Sequence, residues 1–169
     1  MVVLINKSKS NEYYTPKVAW TDIEHLLDKT KIYHEPFNNI HQPLSQQSRK
    51  DLANLGFFLL DTPPFNPDTN ENSFLDDKST YDILIGNPPF IIKKKIMDYL
   101  YKIDKPFILI MPSQSLTFNY MKKFKEHLQI VVPKKRFHFH YYLDVKSPAY
   151  FDTYYFCYKI NLPQNMIFL

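Results

Sequence analysis

Apolar positions along the chain change their period several times, and each change marks an element. In "TPKVAWTDIEHLLDK" Val18, Ile23, Leu26 and Leu27 recur at helical spacing; Thr15 is placed to cap and Pro16 suits a first helical position. "KIYHEPF" (31–37) reads as a short strand ended by Pro36. "LSQQSRKDLANLG" reads as a helix stopped by Gly56 at the position after its cap, and "FFLLD" (57–61) as a buried strand. Residues 62–80 are rich in Pro, Asn, Asp and Ser and predict a long loop. "YDILIG" is the next strand, followed by an amphipathic helix with Ile92, Ile96, Tyr99, Leu100 and Ile103 on one side. "PFILIM" (106–111) is uninterrupted in its apolar character, as a strand covered on both faces must be. A helix over "SQSLTFNYMKKFKEHL" capped by Ser113, a strand at "QIVVP", and a hairpin of "KKRFHFHYYLD" with "TYYFCYKINL" complete the pattern.

Strand and helix alternate for most of the length, which predicts a mostly parallel α/β sheet with helices on both faces and a C-terminal antiparallel hairpin. In such sheets ligands bind at the carboxyl ends of the strands. The 169 residues fit a single domain, 1–169, with its core at about 13–160. Two glycines are far below the usual share of about 7%, which disfavours functions built on a Gly-rich phosphate loop. One cysteine excludes an internal disulfide and a Cys-based zinc cluster. No leader-like start and no apolar run of 18 residues occurs, so an intracellular, soluble chain is expected. The net charge of +4 permits a nucleic-acid partner without requiring one. Of the 21 basic residues only Arg49 and Arg136 are arginine.

Two strand-like runs end in Pro-Pro-Phe: "GFFLLDTPPF" (56–65) and "YDILIGNPPF" (81–90). Consecutive prolines remove two amide donors and fix two φ angles, so the carbonyls of Asn87 and Pro88 are held stiffly. Asn87 adds a side-chain acceptor and Phe90 a flat apolar face. That combination suits an aromatic amine lying flat with its amino group gripped, as a flipped adenine would. Thr62 has no side-chain carbonyl, so only the second copy is a catalytic candidate.

"DILIGNPPF" resembles the catalytic motif of the amino-group (N6-adenine type) DNA methyltransferases, a family with phage-like and large-virus-like members. The resemblance implies a Rossmann-like class I methyltransferase fold, S-adenosylmethionine as cofactor and DNA as partner. It implies that Asn87 and the Pro88 carbonyl accept hydrogen bonds from the target amino group, with Pro89 stiffening the turn and Phe90 stacking on the base. "YYTPK" is similar to the leading cofactor-contact motif, which assigns Tyr14, Thr15 and Pro16. "HEPF" is similar to the start of the cofactor loop and assigns Glu35, Pro36 and Phe37. Asp61 matches the acidic position that binds the ribose hydroxyls. "VVPKKRFHF" resembles the family's basic segment, so Lys134, Lys135 and Arg136 are expected against nucleic acid, with the aromatic run beside them stacking on bases.

After "EPF" the family carries a glycine-rich turn, whereas no glycine stands between positions 38 and 55 here. A second possibility follows: a non-catalytic homologue acting as a binding or structural subunit, either a partner that completes an active enzyme or a virion component. Lys93, Lys94 and Lys95 at a helix start are unfavourable for the helix dipole, which hints at an anionic partner against a simpler solvent-facing role. His138 and His140 have no third ligand nearby, so no metal is expected.

Overall fold

The computed structural model describes residues 13–37, 46–61, 80–89, 92–141 and 151–169. Within them the strands are β1 (Tyr13–Tyr14), β2 (Ile32–His34), β3 (Phe58–Leu59), β4 (Ile83–Gly86), β5 (Phe107–Pro112), β6 (Leu128–Val132), β7 (His140–Tyr141), β8 (Thr153–Tyr158) and β9 (Met166–Phe168). The α-helices are α1 (Lys17–Ile23), α2 (Gln47–Asn54), α3 (Lys93–Ile103) and the short α4 (Asn119–Lys122). Seven strands form one sheet in the order β3-β2-β4-β5-β8-β6-β9, in which β8 alone runs against its neighbours. This is a Rossmann-like α/β fold, mostly parallel, with antiparallel pairing toward the C-terminus.

Side-chain alternation explains why both faces must be covered. From β5, Ile108 and Ile110 enter a core with Ala19 and Trp20 of α1 and Leu52 of α2. Phe107, Leu109 and Met111 enter the opposite core with Ile96, Met97 and Leu100 of α3 and Met121 of α4. β8 divides the same way, Tyr155 and Cys157 on one face and Phe156 and Tyr158 on the other. Each large apolar side chain so buried contributes roughly 1.5–3 kcal/mol. Two polar groups that enter the core from large side chains are paired: Trp20 Nε1 donates to Ser48 Oγ at 3.0 Å, and the Tyr155 hydroxyl donates to the Ala19 carbonyl. These two bonds fix α1 against both α2 and the sheet.

Local signals are obeyed in places and overridden in others. Gly56 follows α2 with φ +86°; its amide bonds the Ala53 carbonyl at 2.9 Å and the Phe57 amide bonds Leu52 at 3.2 Å, closing the helix as expected. At α1 the cap position is Pro16 rather than Thr15, without a side-chain cap bond. The long helix expected from 113 to 128 is instead a 3-10 turn, Ser113–Thr117, followed by α4. Neither segment has a side-chain cap, Ser113 included. The Thr117 hydroxyl bonds the Gln114 carbonyl at 2.8 Å and Phe118 is extended (ψ 141°), so side-chain competition and one extended residue divide the helix.

The C-terminal antiparallel pairing is made by β6 with β8, in register Leu128↔Tyr158 to Val131↔Tyr155. Residues 134–141 are not its partner. Both edges of β8 are already used by β5 and β6, so β7 pairs with β1, Tyr14 opposite His140. Phe137 and Phe139 meanwhile turn into the α1-side core. The connection to β9 is held by a buried amide: Gln129 Nε2 bonds the Leu162 carbonyl at 2.9 Å and its Oε1 accepts from the Leu162 amide at 2.8 Å.

Cys157 reports on this core. It is 2% exposed, and burial pushes its thiol up to about 12. Native protein at pH 8 is expected to resist a thiol reagent and to react at the rate of a free thiol once unfolded in urea. Fast labelling of native protein would show that the sheet is not covered there.

Candidate active site

The parallel strands bring five carboxyl ends to one rim. Residues 35–37 leave β2, Leu60 and Asp61 leave β3, Asn87 leaves β4, Ser113 leaves β5, and residues 133–136 leave β6. Asp152, entering the reversed β8, reaches the same rim, where its carbonyl accepts from the Ser113 amide at 2.8 Å. Strand order therefore sorts the chemistry, with acidic residues toward β3 and β2, Asn87 near the middle, and Lys134 and Lys135 toward β6. At the usual strand spacing, β3 lies about 10 Å and β6 about 14 Å from β4.

The centre of the rim is set by Gly86. All four residues of β4 are buried, and Gly86 has φ +158°, a conformation that side-chain-bearing residues rarely adopt. A Cβ there would stand 2.5 Å from Phe37 Cδ2 and 3.1 Å from Glu35 Oε1. The side chains of Glu35 and Phe37 thus cross directly over the residue that precedes Asn87. Glu35 is 2% exposed and its Oε1 accepts from the Phe37 amide at 3.2 Å, which folds the chain after β2 back on itself. His34, also buried, packs on the Tyr81 ring with centroids 4.8 Å apart.

Asn87 is partly exposed, with its side-chain oxygen turned inward and buried. Pro88 is buried and Pro89 exposed. The Pro89 carbonyl accepts from the Ile92 amide at 3.2 Å, a turn that leads into α3. The Asn87 side-chain oxygen therefore lies inward of an exposed proline, on backbone that two prolines stiffen.

Sequence reasoning gave Arg49 no role. From α2 its guanidinium donates to the Glu35 carbonyl at 3.2 Å and to the Leu60 carbonyl at 2.8 Å. It thereby joins the segments after β2 and β3, bringing Glu35 and Asp61 to neighbouring places. Asp61 is exposed. An arginine within a helix otherwise read as surface carries no local signal of such a reach.

Other expected residues divide. Tyr14 and Thr15 are buried and Pro16 partly so; β1 ties this segment to β7. Lys134 and Lys135 are exposed, whereas Arg136 is engaged by Asp152 through Nε and Oδ1 at 2.7 Å. The aromatic run beside them does not form a stacking surface at Phe137 or Phe139, which are 2% and 0% exposed; burying them is worth more than presenting them. Among the three lysines after the motif, Lys93 is half-buried with its ammonium 4.9 Å from the Phe118 ring centroid, and burial lowers its pKa. Lys94 and Lys123 share the Asp98 carboxylate at 2.8 and 3.0 Å, and these bonds hold that carboxyl below its usual range. Lys94 is exposed despite that pairing, and so is Lys95. Phe90, the first Pro-Pro-Phe segment within 62–65 and the glycine-free stretch 38–45 lie outside the described residues. Among the described residues no group of three or more His, Cys, Asp or Glu is placed to hold a metal, and no helix is long and apolar enough to cross a membrane.

No family model and no curated protein matches the chain. Among solved structures, a precorrin-6y C5,15-methyltransferase from Geobacter metallireducens GS-15 is similar at TM-score 0.41 and 10% identity, over 88% of this chain and 94% of that one. At that distance the likeness says nothing about substrate.

The Gly86 crossing predicts a specific steric coupling. Gly86→Ala should destabilise the protein by about 1–3 kcal/mol in urea unfolding through overpacking, and by clearly less in a Phe37→Ala background. Equal losses in both backgrounds would show that Phe37 does not occupy that space.

Proposed function

We propose that the chain is an S-adenosylmethionine-dependent methyltransferase acting on the amino group of an adenine flipped from DNA. The observation that carries this reading is the delivery of Asn87, Pro88 and Pro89 by the buried β4 to the middle of the rim, directly beside Glu35 and Phe37. The residues present fit the cofactor in kind. Asp61 offers an exposed carboxylate that can accept from vicinal hydroxyls, and Phe37, half-buried, an apolar face, while the Glu35 carboxylate is buried beside Gly86 and shapes the rim from beneath. S-adenosylmethionine, when bound, supplies an electrophilic methyl group whose bond to sulfur breaks as a bond to the target nitrogen forms.

The chain's own part is to hold that nitrogen. Two acceptors, the Asn87 side-chain oxygen and the Pro88 carbonyl, take the two amino hydrogens and turn the lone pair out of the base plane. Prolines at 88 and 89 remove the amide donors that would compete with the base for these acceptors. The Pro88 carbonyl sits on backbone that the two prolines stiffen, whereas the Asn87 side-chain oxygen is buried in this structure and has to turn outward to meet the base. Phe90 follows in sequence as the stacking face, and Lys134 and Lys135 supply cations for the phosphates.

A second reading is favoured by Phe37. Its ring takes up the close approach that Gly86 permits, and the stretch from 38 to 55 holds no glycine with which to admit a cofactor elsewhere. On that reading the chain is a non-catalytic homologue that serves a protein partner.

Calorimetry separates the two. The methyltransferase reading expects micromolar binding of S-adenosylmethionine that Asp61→Ala abolishes or severely weakens. Asn87→Ala should keep that binding and lose on the order of 10²-fold or more in methyl transfer to adenine-containing DNA. Absence of binding at millimolar cofactor would leave the non-catalytic reading standing.

A further inference from the structure

The ladder between β2 and β3 stops early. Its registered pairs are Ile32↔Phe58 and Tyr33↔Leu59, and the Leu60 amide adds one more bond, to the Tyr33 carbonyl at 2.7 Å. Past this point the carbonyls of Glu35 and Leu60 are bridged by the two terminal nitrogens of Arg49. A planar guanidinium can serve two acceptors from one fixed geometry; a lysine ammonium is a point charge on a flexible stem. In a chain whose basic residues are almost all lysine, arginine stands where a fork is needed.

The base of that fork is itself fixed. Ser48, the preceding residue, is held by Trp20, and Leu52, one turn on, is fully buried. α2 therefore presents Arg49 from a rigid platform, and the residues it grips are Glu35 itself and the neighbour of Asp61.

We propose that Arg49 is a positioning residue that sets the spacing of Glu35 and Asp61 by tying together the chain segments that follow β2 and β3. The proposal rests on the methyltransferase reading and names what shapes the cofactor side of that site. Arg49 acts through the backbone, and the exposed Asp61 makes the contact.

The test is a ligand–variant cycle, read by calorimetry on the full chain with S-adenosylhomocysteine and its 2′-deoxy analogue, alongside thermal melts. The unmodified protein should prefer the ribose form, because Asp61 is held where it can accept from the hydroxyls. Arg49→Ala and Arg49→Lys should each lose about tenfold or more in affinity for the ribose form and lose most of the preference. Arg49→Lys keeps the charge and is the variant to read should Arg49→Ala fold poorly. Unchanged affinity, or an equal loss for both ligands with the preference intact, overturns the proposal while leaving the methyltransferase reading in place. If the unmodified protein binds neither ligand, that reading fails and the proposal fails with it.

Discussion

The contact over Gly86 is the constraint around which the rim is organised. Hydrogen in place of a methyl group at this position lets the Phe37 ring cross the end of β4 at a distance that a Cβ would forbid, with the Glu35 carboxylate close beside it. Without that crossing the segment after β2 would have to leave the sheet in another direction. The acceptors of Asn87 and Pro88 would then lose their neighbours. One of only two glycines in the chain is used here, and the other closes α2.

The crossing works because the layer beneath it is rigid. β4 and β5 are buried throughout and packed from both sides by helices, so the rim stands on close-packed side chains rather than on flexible loops. The reversed β8 adds to this. Its six-residue register with β5 brings Asp152 to the same rim, where it engages Arg136 and the Ser113 amide. One result is that a cation expected to face a phosphate is neutralised by a carboxylate, while Lys134 and Lys135 stay in solvent. Exposed ion pairs of this kind contribute little to stability, so its consequence is the arrangement of charge.

Sequence reading succeeded where a residue's role was local. Gly56 after α2 needs only a positive φ, and the unbroken apolar run of β5 needs only cover on both faces; both are visible in a few consecutive residues. It failed where two elements compete for one partner. The segment 134–141 has the alternation of a hairpin strand, but β6 had already taken the remaining edge of β8. Its phenylalanines, legible as aromatic, gave no indication of whether they would face solvent or core. The helix expected after Ser113 broke at Phe118, whose ring receives the Lys93 ammonium from a different element. Such a contact leaves no trace in local periodicity.

For the candidate site the division is similar. By itself the sequence determined the chemical inventory and its order: an acidic residue after each of the first two sheet strands, an Asn-Pro-Pro turn after the next, and lysines after a later one. Backbone conformation and side-chain chemistry at each position depend on neighbours along the chain, so these were legible. Only the tertiary structure decided that Glu35 and Phe37 lie over Gly86, and that Arg49 spans two carbonyls 11 and 14 residues away in opposite directions along the chain. Those contacts depend on how parallel strands are ordered and how far their ends diverge. Sheet order is set by the burial of both faces at once, a property of the assembled sheet that no single segment carries.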